Sequence, residues 1–152
     1  MVFVTVGTQD FDFVRIFDYC SRNIQEDLIF QLGETTYNSN TQSFKYSEKY
    51  PEYMSEANYI VAHGGVGTII DALKQNKKVI VVPRLAENKE HVNNHQLEIT
   101  LKLAADGFIL YALTEEDFIS KVSEIEFFKP KKFISNTSNF NSKVNDIIEE
   151  LS

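Results

Sequence analysis

The run YIVAHGGVGT, residues 59–68, decides the fold. Residues 59–62 are a short apolar segment with β-branched side chains, and Gly64, Gly65 and Gly67 end it and open a tight turn into a helical pattern over residues 68–73. The order is strand, glycine turn, helix. The first peptide N–H groups of a helix have no internal partners and sit at the positive end of its dipole, so such a turn is a seat for an anionic oxygen. Glycine lets a diphosphate approach the backbone without meeting a Cβ. Thr68 offers a hydroxyl to the same oxygen, and Asp71 lies one turn deeper on the same helix face. Packing alone also produces glycine turns in α/β domains, so this run by itself leaves phosphate binding and packing on equal terms. Two familiar phosphate devices are excluded. No lysine follows Gly67, as a P-loop requires, and Ile70 stands where the dinucleotide fingerprint needs a third small residue.

Outward from this run the chain repeats the same alternation. Residues 2–6 form a strand ending at Gly7-Thr8, and a helix follows with Phe13, Ile16, Phe17 and Cys20 on one face, capped by Asp12 or Asp10. Residues 28–32 are a strand stopped by Gly33, residues 34–42 a polar loop, residues 44–46 a short strand, and residues 50–56 a helix with Pro51 in its first turn. After the central helix, residues 78–83 read as a strand apolar on both faces, as expected in a parallel sheet covered on both sides. The polar loop 84–94 leads to a helix over 95–105, a strand over 108–111, and a helix to about 124 that Thr114 and Asp117 open with capping-box spacing. A last amphipathic helix is expected over 142–151. This is α/β: a single Rossmann-like domain, residues 1–152, with an open, mostly parallel sheet of about six strands and helices on both faces. Ligands of such sheets bind beyond the carboxyl ends of the strands, where Gly7, Gly64 and Arg84 fall.

Composition sets the outer limits. The 152 residues, 43% hydrophobic, suffice for one core. A net charge of −7 argues against nucleic acid and against electrostatic attachment to an anionic membrane. No apolar run approaches the ~20 residues that span a bilayer, and the N-terminus lacks the basic start of a signal peptide. The single cysteine, Cys20, fits a reducing cytosol and reads as a buried, inert thiol.

The run HGGVGTIIDALKQNKKVIVVPR, followed by NNHQLE, resembles the donor-binding C-terminal domain of inverting GT-B glycosyltransferases. It is similar in particular to the small subunits of two-component UDP-sugar transferases, both the bacterial exopolysaccharide and capsule enzymes and the eukaryotic dolichol-linked N-acetylglucosamine transferase. The opening VFVTVGTQ extends the likeness to residues 1 to about 110. The resemblance implies that Gly64, Gly65, Gly67 and Thr68 hold the diphosphate with Gly7 and Thr8 closing over it, and that Asp71 accepts the ribose hydroxyls, a role that suits an acceptor-only carboxylate. It places Gln96, Asn94 and His95 at the sugar hydroxyls, with helix capping as the other role open to His95. His63 is open between contact with phosphate or donor, including a catalytic part, and a packed strand-end histidine. Arg84 is open between neutralising phosphate and simple solvation, and His91 reads as a surface residue. Gln9 and Val14 depart from the histidine and aspartate that relatives often carry, so the resemblance carries over no role at those two positions. Asp10-Phe11-Asp12 has the spacing of a metal motif but reads as helix capping, and no metal or other cofactor is expected.

Inverting transfer needs a base and a second wall around the site. Because the first strand opens at Val2, those parts are expected on a separate, membrane-anchored partner subunit that also presents a lipid-linked saccharide acceptor. The chain would hold the UDP-sugar, without nucleic acid or membrane insertion, and work in the cytoplasm at the inner membrane face. Two alternatives stay open: a non-catalytic enhancer of a partner transferase, and an NAD-type module, which the missing third glycine disfavours.

Overall fold

The computed structural model of the chain describes residues 1–133. Six strands form one sheet: β1 (Val2–Thr5), β2 (Leu28–Gln31), β3 (Gln42–Phe44), β4 (Tyr59–Ala62), β5 (Val79–Val81) and β6 (Leu110–Tyr111). Their order is β3-β2-β1-β4-β5-β6, and every neighbouring pair is parallel. Strand order therefore reverses between β1 and β4, whose registers pair Val2 with Tyr59 and Thr5 with Ala62. At such a reversal the loops leaving the two strands diverge to opposite faces and open a crevice at the carboxyl edge.

The helices are α1 (Val14–Asn23), α2 (Tyr50–Glu56), α3 (Val66–Lys74), α4 (His95–Ala105) and α5 (Glu115–Glu124). Strand residues alternate between two cores. Val2, Val4 and Val6 pack with Ile16, Phe17 and Cys20 of α1 and Phe118 of α5. Phe3 and Ile60 pack on the other side with Met54 of α2, Ile69 and Ala72 of α3, and Leu103 of α4. β1, β4 and β5 are buried throughout, which is why they are apolar at every position except Thr5, whose hydroxyl is paired with Gln31.

Three local expectations are corrected. Neither Asp10 nor Asp12 caps α1: the Phe13 N–H donates to Thr35 Oγ1, and Asp12 accepts the Thr36 N–H, so both tie the helix start to the loop after β2. β3 begins at Gln42 because an exposed edge strand carries little apolar alternation to mark its start. α3 begins at Val66, two residues before Thr68, with Gly65 as its cap. β5 and β6 are shorter than expected, at Val79–Val81 and Leu110–Tyr111, while Pro51 does lie in the first turn of α2, the Asp117 N–H donates to Thr114 Oγ1 at 3.1 Å, and Cys20 is buried. The helix expected over 142–151 lies outside the described residues. Among the described residues no helix is long and apolar enough to cross a membrane.

Candidate functional site

The loops leaving β1 and β4 border an open cleft of about 390 Å³ at the strand-order reversal. Gly7 and Thr8 line it from one loop, and Gly67, Thr68 and Asp71 from the first turns of α3. The opposing wall comes from Gln31, Tyr46, Ser47 and Tyr50.

The four glycines do different work. The first helical bond of α3 is the Ile69 N–H to Gly65 O, at 3.2 Å, so the N–H groups of Val66, Gly67 and Thr68 precede the helical ladder. A Cβ on Gly67 would meet nothing within 4 Å, which leaves the open side of the turn to a ligand. Gly7 and Gly65 instead make room for the His63 ring: a Cβ on the first would lie 2.6 Å from Nε2, and on the second 2.2 Å from Cε1. Gly7 also adopts a positive φ of 71°. Gly64 lets α4 close in, since a Cβ there would lie 2.7 Å from Gln96 Cβ. Packing by itself accounts for the missing side chain at three of these glycines, and among the described residues Gly67 alone of the four faces open space.

His63 is 4% exposed, and its Nε2 lies 3.4 Å from Thr68 Oγ1 while Nδ1 makes no well-formed hydrogen bond among the described residues. Burial lowers its pKa to about 3, helped by the Arg84 charge and opposed by the Gln96 side chain, so the ring is neutral at working pH. Beside Asp71 and Thr68, burial raises the Tyr50 phenol, with the Thr68 side chain pulling the other way and the Asp71 carboxylate adding to the rise.

Gln31 is the residue that sequence reading missed. Its Oε1 accepts from Thr5 Oγ1 at 2.6 Å and from the Val6 and Gly7 N–H groups, and its Nε2 donates to Gly7 O and Lys45 O. One side chain thus fixes the β1 loop against the opposite wall. The only sequence signal was a glutamine inside an otherwise apolar strand. Tyr46, Ser47 and Tyr50 were also missed, because nothing local links that stretch to the glycine turn.

The loop residues are not gathered into this cleft. Arg84 is fully buried, its guanidinium donating to Phe11 O, Glu90 O and Val6 O and lying 5.0 Å over the Phe13 ring. The solvated reading of Arg84 is therefore corrected by its burial, and its guanidinium faces backbone carbonyls and does not line the cleft. Gln96 is buried and accepts the Arg84 N–H, and Asn94 accepts the Ala86 N–H, so each braces the loop after β5. His95 is exposed at the start of α4, and its own N–H is held by Asn93 Oδ1. The loop is anchored to α1 through Arg15, which pairs with Glu90 at 3.0 Å and also donates to Pro83 O and Leu113 O. His91 is half-buried, stacked on Phe11.

Strand order, helix placement and cleft position define a Rossmann-like domain. Residues 1–151 match the glycosyltransferase family 28 C-terminal domain, and the chain belongs to that family. It is 30% identical over 125 residues to the UDP-N-acetylglucosamine transferase subunit ALG13 of Homo sapiens, covering 72% of this chain and 11% of the relative. With the Mus musculus subunit the identity is 29% over 127 residues, covering 72% and 10%. The chain thus spans about a tenth of the length of these relatives. Among solved structures, the NMR structure of ALG13 superposes with a TM-score of 0.61 at 20% identity, covering 94% of both chains. The crystal structure of the kitacinnamycin glycotransferase gives 0.55 at 14% identity, covering 98% of this chain and 38% of that one. These structural likenesses carry the fold, and the family match bears out the resemblance drawn from the glycine run.

Proposed function

We propose that this chain is the UDP-sugar-binding subunit of an inverting hexosyltransferase completed by a membrane-anchored partner. The observation that carries the reading is that Gly67, Thr68 and Asp71 line one cleft with Gly7 and Thr8, although some sixty residues separate the two groups. In this reading the diphosphate sits on the unpaired N–H groups at the start of α3 and on the Thr68 hydroxyl. Asp71 takes the ribose hydroxyls, and the half-exposed Tyr46 ring offers a flat surface to the base. Among the described residues no lysine or arginine lines the cleft, and in this reading amides and hydroxyls stabilise the leaving UDP without a metal. The general base belongs to the partner, because an imidazole with a pKa near 3 is a poor proton acceptor at neutral pH.

Galactose, glucuronate and N-acetylglucosamine are the candidate hexoses, and the names of the ALG13 relatives make UDP-N-acetylglucosamine the first donor to try. The acceptor is a lipid-linked saccharide reached at the cytoplasmic membrane face through the partner, in exopolysaccharide or capsule synthesis. Calorimetry of the chain with UDP tests the reading. Asp71→Asn is expected to weaken UDP by roughly tenfold or more but 2′-deoxy-UDP far less, as loss of a charge-assisted hydrogen bond predicts. Absence of UDP binding at millimolar ligand, with or without the partner, overturns it.

A further inference from the structure

His63 stands directly behind the hydroxyl that the donor-binding reading assigns to the diphosphate. Its ring is buried and clamped between the backbones of Gly7 and Gly65, neither of which has room for a Cβ. Of its two nitrogens, Nε2 lies 3.4 Å from Thr68 Oγ1, and among the described residues Nδ1 makes no well-formed hydrogen bond, with the Gln96 side chain beside the ring. A neutral imidazole carries one N–H and one lone pair, so the position of a single proton fixes what Thr68 can do. With the proton on Nδ1, that N–H faces the Gln96 side chain, and Nε2 draws the Thr68 proton inward, away from any ligand. With the proton on Nε2, the ring donates to Thr68 Oγ1 and the hydroxyl proton turns outward. Phosphate oxygens accept hydrogen bonds and donate none, so only the second arrangement suits a diphosphate in the cleft.

We propose that His63 is a positioning residue that, as its Nε2–H tautomer, holds the Thr68 hydroxyl as a hydrogen-bond donor to the diphosphate without touching the ligand itself. Burial supports this by keeping the ring neutral, so its proton count does not change across the working pH range. The proposal rests on the donor-binding reading, and the two fail in different ways.

The test combines calorimetry of the full chain, using UDP and uridine, with 15N NMR of the His63 ring. His63→Phe keeps a flat ring between the two glycines and removes both nitrogens. It is expected to weaken UDP about tenfold and uridine by less than about twofold. His63→Gln, which returns a donor near the position of Nε2, is expected to recover most of that loss. In a Thr68→Val background the His63→Phe change is expected to cost no further UDP affinity, because the hydroxyl it orients is gone. Wild-type UDP affinity in folded His63→Phe, or an equal loss for uridine, overturns the proposal while the donor-binding reading stands. In the wild-type chain the Nε2–H tautomer supports it and the Nδ1–H tautomer overturns it, whether or not His63→Phe folds. A wild-type chain that takes up no UDP removes the donor-binding reading and this proposal together.

Discussion

His63 has a second consequence, for stability. Its ordinary pKa of about 6.5 falls to about 3 on folding. Between those values the unfolded chain binds a proton that the folded chain refuses, so the contribution is complete above about pH 6.5 and is lost as pH falls. The expected slope approaches roughly 1.4 kcal/mol per pH unit, with a smaller share in the same direction from half-buried His91. Urea midpoints at pH 7 and pH 5 measure it, and His63→Phe should flatten the difference. Cys20 gives an independent check on burial at the same scale. Burial pushes its thiol well up, and the side chain is fully enclosed. It is therefore expected to ignore a thiol reagent in the native chain and to react once denaturant is added.

At the scale of elements, the decisive one is the turn from β4 into α3. Its glycines look alike in the sequence, yet a Cβ on Gly65 would collide with the His63 ring while a Cβ on Gly67 would meet nothing. Gly67 also lies in the first turn of α3, where alanine is the better helix former. Gly67→Ala is therefore expected to keep or raise stability, by up to about 1 kcal/mol, while weakening UDP through the methyl placed where the diphosphate approaches. Gly65→Ala is expected to lose both. Thermal melts paired with UDP titration separate the two outcomes, and a Gly67→Ala chain that binds UDP like wild type would move the diphosphate away from this turn.

For the whole molecule, the proposed function has a partner closing the open cleft, and turnover is then expected only with that partner. Thr68→Ala with Asp71→Ala in the reconstituted pair should abolish most transfer, whereas undiminished transfer would make the chain an enhancer of a partner that is itself the enzyme. Much of this architecture was legible beforehand. Buried parallel strands are largely apolar on both faces, glycines stand where strands turn sharply into helices, and Thr68 and Asp71 share a helix face, so strand–turn–helix units and the helix start at the cleft follow from local spacing. Gln31, Tyr46 and Tyr50 could not be placed by spacing, because they reach the cleft only when β2 and β3 pair beside β1. Arg84 shows the opposite failure: an arginine before a polar loop looks solvated or ligand-facing until folding surrounds it with three carbonyls. Residue order alone carried the elements, their parallel stacking and the helix start that opens onto the cleft, since these depend on neighbours along the chain. Only the tertiary structure decided which glycine is free, which polar side chains point inward and what walls the cleft, since those depend on atoms far apart in sequence competing for the same space.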